Sequence, residues 1–367
     1  MRKSWACDLA FLLLTRWLQF SLAIPKSNLT DLSALLVLKE HSNFDPFMSK
    51  NWSSATSFCH WYGVTCSERH NRVVALTLSN MGIKGIVPPH IGNLSFLVHI
   101  DMSNNSYSGH LPNELGNLHR LKFMNFSNNS FVGEIPSSLA MLPKLQHLLL
   151  ANNSLTDISM KQSSAGRSSI FNITTLNTLD LNDNLLGGNI LDNIGGNLSN
   201  LQVLNMGLNQ LSGSFPPKIL DLPSLKFIYL QVNNLSGNLK EILCNQNSKL
   251  QLLNLAGNQL YGQIPSDLYK CKELRSLALH ANKFTGSIPR TIGNLTKLKW
   301  LSLGRNNLTG EIPEEITHLV NLEILGLEFN NLHGRIPMQI GNCSFLRQIY
   351  ANNNYLTESP KKDTKRY

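Results

Sequence analysis

The sequence LTKLKWLSLGRNNLTGEIPEEITH, residues 295–318, decides the fold of this chain. Its spacing of Leu, Asn, Gly and Pro recurs in twelve units, with steps of 24 or 25 residues and a single longer step of 31. A regular period of roughly 20–29 residues is typical of a solenoid, whose units stack side by side. We number the units 1 to 12 by one position in each, which holds Met81, Asn105, Asn129, Asn153, Asn184, Asn209, Asn233, Asn258, Asn282, Asn306, Asn330 and Asn354.

Each unit combines a short strand with a polar turn. In unit 10, Leu301 and Leu303 alternate with Trp300 and Ser302. In a strand this alternation points the two leucines inward and the other two side chains outward. The amide of Asn306 can donate to and accept from backbone groups that the following turn leaves unpaired. The pattern predicts one strand per unit, a parallel sheet with one open face, and a ladder of Asn side chains.

The composition fits one elongated domain. A chain of 367 residues with 42% hydrophobic residues could form two domains, but a solenoid grows by adding neighbours to one core. More than half of the net charge of +9 lies in residues 1–23 and 361–367. The remaining basic charge gives little support to nucleic-acid binding.

The amino terminus predicts export. Residues 1–23 combine Arg2 and Lys3 with an apolar run and a small-residue site at Ala23, which is typical of a signal peptide. The run is too short to span a membrane, and no later stretch is long enough. Thirteen glycosylation sequons, some of them produced by the repeat itself, agree with an exported glycoprotein. They lie at Asn28, Asn51, Asn93, Asn104, Asn125, Asn128, Asn152, Asn172, Asn197, Asn234, Asn294, Asn307 and Asn342.

Residues 24–72 predict a cap on the first unit. The segment Asp31 to His41 has apolar residues at helical spacing, with Thr30 as the expected N-cap. Cys59 and Cys66 can form a disulfide in an oxidising compartment. The alternative, a redox or metal site, would need further ligands at fixed spacing, and only His60 is near.

Two features of the repeat region each have two interpretations. They are the three cysteines in the repeats and the insertion that lengthens the step from unit 4 to unit 5 to 31 residues. Cys244, Cys271 and Cys343 occupy positions that are apolar in other units, so we expect buried hydrophobic side chains rather than ligands or reactive thiols. The insertion near residues 157–168 is polar and should bulge from the rim or the convex side, as a plain surface loop or as a functional element. The repeats then continue within 73–357, and residues 358–367 form a basic tail.

The unit pattern L-x-x-L-x-x-L-x-L-x-x-N-x-L-x-G-x-I-P, the segment CHWYGVTC at 59–66 and the runs at 169–173 and 195–201 together resemble plant leucine-rich-repeat receptor kinases, closest to those that sense bacterial patterns. The resemblance covers about residues 28–356. It implies an α/β repeat solenoid, a right-handed superhelix with a parallel sheet on its concave face and a disulfide-bearing helical cap. It also implies a ligand-binding domain at the outer face of the plasma membrane or in the apoplast. Its expected partner is a co-receptor kinase with a short leucine-rich-repeat ectodomain.

The sequence departs from these receptors in two ways. It contains no membrane helix and none of the kinase motifs, so kinase activity is not carried over. The eleven histidines show no recurring nucleophile, carboxylate pair or metal spacing. We therefore expect a non-catalytic protein without metal or cofactor. The alternatives are a secreted inhibitor of microbial wall-degrading enzymes, whose usual Cys-bearing C-terminal cap is missing, a structural wall protein, or a decoy from a truncated receptor gene.

The candidate site consists of outward strand positions in units 7 to 12. Outward positions lie seven, six, four, two and one residues before the unit Asn. Early units present small polar residues there, such as Thr77, Asp101 and Ser127, whereas later units present aromatic and charged ones. Exposed Trp, Tyr and Arg commonly anchor interfaces, so we expect a peptide or protein ligand, against the alternative that the residues share no role. The predicted residues are Phe227, Tyr229, Arg275, His280, Trp300, Arg305, Glu323, Glu328, Phe329, Arg347 and Tyr350, beside a shallow channel at Ala278, Ser302 and Gly326.

Overall fold

The computed structural model describes residues 28–158, 162–163, 166–167, 170–189, 194, 198–239, 244 and 248–357. The predicted signal peptide and the basic tail lie outside these residues, so both remain predictions. Within the described part of the chain, no helix has the length and apolar character needed to cross a lipid bilayer.

A sheet of thirteen strands, here called the long sheet, runs the length of the molecule and confirms the predicted strand of each unit. Its first two strands are antiparallel, and the others are parallel with equivalent residues side by side. Trp300, for example, pairs with Ser276 and Ile324 of the neighbouring units. The strands are Val64–Cys66, Val73–Thr77, His99–Asp101, Phe123–Asn125, His147–Leu149, Thr178–Asp180, Val203–Asn205, Phe227–Tyr229, Leu252–Asn254, Ser276–Ala278, Trp300–Ser302, Ile324–Gly326 and Gln348–Tyr350.

Most units also have a second strand, which the prediction of one strand per unit missed. In unit 10 it spans Asn307–Glu311, and its Leu308 is fully buried. These flank strands begin just after the unit Asn and pair with their equivalents in adjacent units. The flank strands are Lys84–Ile86, Ser106–Gly109, Ser130–Ile135, Ser154–Ile158, Gly187–Gly188, Gln210–Leu211, Tyr261–Gln263, Lys283–Gly286, Asn307–Glu311, Asn331–Gly334 and Tyr355–Leu356. The two-residue strand Ser42–Asn43 of the cap pairs antiparallel with the first of them.

Short 3₁₀-helices return the chain to the long sheet. A proline precedes most of them, as Pro313 does in unit 10, because proline fixes φ and needs no hydrogen-bond acceptor for its nitrogen. Among the described residues, α-helices occur only in the cap, so the α part of the predicted α/β class is confined there. The 3₁₀-helices are Phe58–His60, Pro89–Asn93, Asn113–Asn117, Ser137–Met141, Ile170–Asn172, Pro217–Asp221, Ser266–Lys270, Arg290–Asn294, Glu314–His318 and Met338–Asn342.

The Asn ladder forms as predicted. The side-chain nitrogen of Asn306 donates to the carbonyls of Leu279, Leu303 and Gly304 at 3.0–3.2 Å, and its oxygen accepts from the backbone N–H of Phe284. Each unit Asn from unit 2 to unit 12 repeats this arrangement. Each unit Asn therefore forms hydrogen bonds with backbone N–H and C=O groups of its own unit and of the preceding one. The inward leucines form one continuous core.

The cap contains the α-helices Asn28–Glu40 and Pro46–Asn51 and the predicted Cys59–Cys66 disulfide. The first helix begins before Thr30, so the prediction of Thr30 as N-cap was wrong. Its Asp31 is fully buried and pairs with Arg72, with an Oδ1 to Nη2 distance of 2.7 Å. This ion pair joins the cap helix to the start of the first unit.

The prediction for Cys244 and Cys271 requires a correction. Both are buried as expected, but they form a disulfide instead of acting as independent apolar side chains. They are 27 residues apart, about one unit, and one unit in sequence corresponds to one neighbouring coil in space. Their Cα atoms are therefore only 5.1 Å apart. Cys343 carries a free, buried thiol, as predicted.

The insertion leaves the solenoid after the flank strand Ser154–Ile158 and rejoins it at the 3₁₀-helix Ile170–Asn172. Its described residues form a small antiparallel pair, Gln162–Ser163 with Gly166–Arg167. None of these described residues joins the long sheet, and the prediction that the insertion bulges from the rim or the convex side stays a prediction.

Candidate ligand-binding face

The outward residues of the long sheet lie in parallel rows, which we name by their distance from the unit Asn. Phe227 and Trp300 share row −6, and Tyr229 and Tyr350 share row −4. With about 4.8 Å between strands, Phe227 lies roughly 14 Å from Trp300, and Tyr229 roughly 24 Å from Tyr350. The predicted residues thus cover one contiguous half of the sheet.

All eleven predicted residues are at least partly accessible to solvent. Trp300, Tyr350 and Phe329 are the most exposed of the aromatic ones, at 50%, 46% and 42%. The small residues Ala278, Ser302 and Gly326 lie in row −4 between Tyr229 and Tyr350, which is the predicted channel. None of the three most exposed aromatic rings belongs to the buried core.

Row −7 carries charges of both signs. Lys299 Nζ donates to Glu323 Oε1 at 2.8 Å, and this hydrogen bond lowers the pKa of Glu323. Arg347 of the next unit adds to the effect, and Arg275 occupies the same row on the other side. Exposed pairs of this kind add little stability, so the row is free to exchange its partners for those of a ligand.

A polar cluster occupies units 9 to 11. Ser302 Oγ lies 3.0 Å from His280 Nδ1, and burial lowers the pKa of His280 although the charge of Glu328 opposes this shift. The guanidinium of Arg305 lies 4.7 Å from the centre of the Phe329 ring. The structure therefore brings together four residues that the sequence had only placed on the same face: His280, Arg305, Glu328 and Phe329.

The Glu328 carboxylate lies over Gly304, where a Cβ atom would be 2.4 Å from its Cδ. Its Oε2 is buried and has no hydrogen-bond partner. Gln231, which the sequence analysis did not select, lies in the same way over Gly207 and also has a buried oxygen without a partner. A glycine in one unit thus makes room for a long polar side chain of the next.

A second feature that the sequence analysis missed lies on the early units. His99 and Phe123 in row −6 are stacked with ring centres 4.4 Å apart, and His147 follows at 5.9 Å from Phe123. Burial lowers the pKa of His147 and raises that of Asp180 in row −4. Reading row −6 across all units, rather than sampling residues from the early ones, would have found this stack.

The sequons and other possible sites were also located. Ten of the thirteen sequon asparagines are exposed, Asn51 and Asn125 are half-buried, and Asn197 lies outside the described residues.

Within the described ranges, no three His, Cys, Asp or Glu side chains form a group that could hold a metal ion. Two open grooves of about 520 and 730 Å³ lie beside flank strands and contain none of the eleven predicted residues.

Family models for the leucine rich repeat match residues 272–332, 96–118, 120–142 and 249–271, and the leucine rich repeat N-terminal domain matches 28–67. The chain is a leucine-rich-repeat solenoid. This leucine-rich-repeat protein is 42% identical over 73 residues to the LRR receptor-like serine/threonine-protein kinase EFR of Arabidopsis thaliana. That match covers 19% of this chain and 7% of EFR, and polygalacturonase inhibitors match segments of similar length.

Solved plant receptor ectodomains have the same fold. The crystal structure of PEPR1-AtPEP1 superposes with a TM-score of 0.75 and 30% identity, covering 89% of this leucine-rich-repeat protein and 48% of that chain. The Arabidopsis receptor kinase HAESA, in complex with the peptide hormone IDA and the co-receptor SERK1, gives a TM-score of 0.57 and 27% identity over 89% of this chain and 66% of HAESA. The protein thus spans about half to two thirds of these structural neighbours.

Proposed function

We propose that the chain is the extracellular, non-catalytic ligand-binding domain of a plant receptor-like kinase or receptor-like protein. It recognises a peptide or protein on the open face of the long sheet, in immune or developmental signalling. The observation that carries this proposal is the group of accessible aromatic and charged side chains in units 7 to 12. These side chains lie on the long sheet and do not belong to the buried core.

The comparisons support the ligand class and the partner. PEPR1 was solved with AtPEP1, and HAESA was solved with the peptide hormone IDA and the co-receptor SERK1. By analogy, this chain binds a peptide and then pairs with a co-receptor kinase that has a short leucine-rich-repeat ectodomain. Two disulfides and ten exposed sequon asparagines support an extracellular location.

The test replaces Phe227, Trp300 and Tyr350 together with alanine and measures binding of peptides selected from a phage-displayed random library on the wild-type chain. We expect binding to be lost while the melting temperature changes little, because the three rings are outside the core. The matched control replaces Phe47, Tyr261 and Tyr355, which are 50–70% exposed but lie off the open face. Equal binding by both triple variants would contradict the proposal.

A second candidate function is inhibition of a microbial wall-degrading enzyme, favoured by the segments that match polygalacturonase inhibitors. Adding the purified chain to fungal polygalacturonases and measuring the release of reducing sugar distinguishes the two. Inhibition at stoichiometric concentration, relieved by the triple alanine variant at the open face, would support this candidate over the receptor.

A further inference from the structure

The residue immediately before each unit Asn, row −1, has a positive φ in all twelve units. The φ values lie between +52° and +65°, in the left-handed region that Asn, Asp and Gly adopt most easily. Units 1 to 5, unit 8 and unit 12 follow this preference, with Asn80, Asn104, Asn128, Asn152, Asp183, Gly257 and Asn353. Backbone geometry alone therefore favours Asn throughout the row.

Five units break this rule, with Leu208, Val232, Ala281, Arg305 and Phe329. Units 6 and 7 are the two adjacent units that both carry exposed aliphatic residues in this row. Leu208 has a φ of +52° and is 41% exposed, and Val232 has a φ of +54° and is 51% exposed. A β-branched residue in this region is an outlier, because its Cβ substituents crowd the backbone. Neither side chain is buried deeply enough to recover the cost through packing. Strained residues that the fold does not need are commonly found at functional sites.

The same face also contains a carboxylate without a partner. Glu328 Oε2 is buried over Gly304 and receives no hydrogen bond, and no ion pair joins Glu328 to Arg305, whose guanidinium instead covers the Phe329 ring. Nearby His280 has its pKa lowered by burial. A buried oxygen left unsatisfied is unfavourable, so a ligand that supplies a donor would draw this side chain outward.

The two features are separated by a distance that a short peptide can span. The Glu328 carboxylate lies over Gly304 of unit 10, which is three strand spacings, or about 14 Å, from Val232 of unit 7. Leu208 of unit 6 is one strand spacing further away, at about 19 Å. Four to six residues of extended chain, at about 3.3 Å each, cover these distances. Between them, row −1 holds only Gly257 and Ala281, which leave space for a peptide backbone.

We propose that the open face binds an extended peptide with an apolar side chain and a Lys or Arg four to six residues apart. The apolar side chain packs on Leu208 and Val232, and the cationic group pairs with Glu328. This inference rests on the proposed function and adds the chemistry of the ligand.

The first test separates stability from binding. Leu208→Asn and Val232→Asn should each raise the melting temperature by about 1–2 °C, because Asn suits the left-handed conformation, yet both should weaken binding of apolar peptides. The matched control, Asn80→Val, places valine at the same row of unit 1, and it should lower the melting temperature without changing binding. A fall in melting temperature on Val232→Asn would overturn the argument from strain.

The second test selects peptides from a phage-displayed random library on the full chain and on its variants. Wild type should enrich peptides with the apolar and basic pair at the stated spacing. Val232→Asn should remove only the apolar preference. Glu328→Gln should remove only the preference for a basic residue. It should also weaken the binding of a synthetic peptide, selected on the wild-type chain, about tenfold. The control variant Glu314→Gln, which changes an exposed carboxylate off this face, should leave both the preference and the binding unchanged.

The outcomes distinguish the inference from the proposed function. If peptides are enriched and need Trp300 but are indifferent to Val232 and Glu328, this inference is wrong while the proposed function stands. If no peptide is enriched on the wild-type chain, both are wrong.

Discussion

The unit asparagines show at the scale of one residue how the fold depends on side-chain hydrogen bonds. Asn330 is 6% exposed, donates to the carbonyls of Leu303, Leu327 and Glu328, and accepts from the N–H of Leu308. The adjacent Asn331 is exposed on a flank strand. Two neighbouring asparagines therefore have different structural importance.

We expect Asn330→Ala to reduce the free energy of unfolding by about 2–4 kcal/mol, because it leaves several buried backbone groups without partners. Asn331→Ala should change it by less than about 0.5 kcal/mol, as is usual for exposed sites. Denaturant titration of the two variants and wild type measures both values. Equal losses would contradict the role given to the ladder.

Two histidines make stability depend on pH. Burial holds the pKa of His147 and of His280 below the usual value of 6.5. Between the folded and unfolded pKa values the unfolded chain binds more protons, so stability falls as pH decreases through that window. The melting temperature of the double variant His147→Gln and His280→Gln should fall less between pH 7 and pH 5 than that of the wild type. His90→Gln, at an exposed residue, is the control, and an unchanged slope in the double variant would contradict the prediction.

The Cys244–Cys271 disulfide joins elements that are adjacent in space but about one unit apart in sequence. Cys244 and Cys271 lie in neighbouring coils. The residues on either side of Cys244 in the sequence, 240–243 and 245–247, are outside the described part of the chain. A link between coils limits how far they can separate in the unfolded chain. This bond therefore stabilises the middle of the solenoid, as Cys59–Cys66 does in the cap.

Replacing Cys244 and Cys271 with alanine should reduce the free energy of unfolding by about 3–4 kcal/mol, the value expected for closing a loop of this length. Peptide mapping without reduction should find the two cysteines linked. Cys343 should react with iodoacetamide only after unfolding, because its thiol is buried. Alkylation of Cys244 or Cys271 in the native protein would contradict the assignment.

At the scale of the whole molecule, stability comes from contacts between neighbouring units. Strand Trp300–Ser302 has a partner on each side, whereas Gln348–Tyr350 has one partner among the described strands and all three of its residues are exposed. Opening of the last strand therefore disturbs fewer contacts. The long sheet should be most rigid in its interior and less rigid at its last strand, which carries Tyr350 of the candidate face.

Hydrogen exchange followed by mass spectrometry should measure this gradient. We expect amides of Trp300–Ser302 to exchange at least about tenfold more slowly than those of Gln348–Tyr350, because local opening is easiest where neighbours are few. The interior strand Ile324–Gly326 is an internal control and should resemble Trp300–Ser302. Equal protection of all three strands would indicate one cooperative unit instead.

The sequence by itself determined the period, the inward leucines, the Asn ladder, the strand of each unit and the Cys59–Cys66 bond. It could do so because each of these follows from local spacing, and repetition places equivalent residues side by side. It also placed the eleven candidate residues on one face, although their role in binding stays a prediction. The flank strands were missed because a single inward residue such as Leu308 gives too short an alternation to recognise.

Only the tertiary structure decided which side chains from different units meet. The Cys244–Cys271 bond, the stacking of His99 on Phe123, and the position of Glu328 over Gly304 depend on distances of a few ångströms between coils. The strain at Val232 became visible only with its backbone angle. The physical reason is that the repeat specifies the spacing of the units, while rotamers and backbone angles specify the contacts between them.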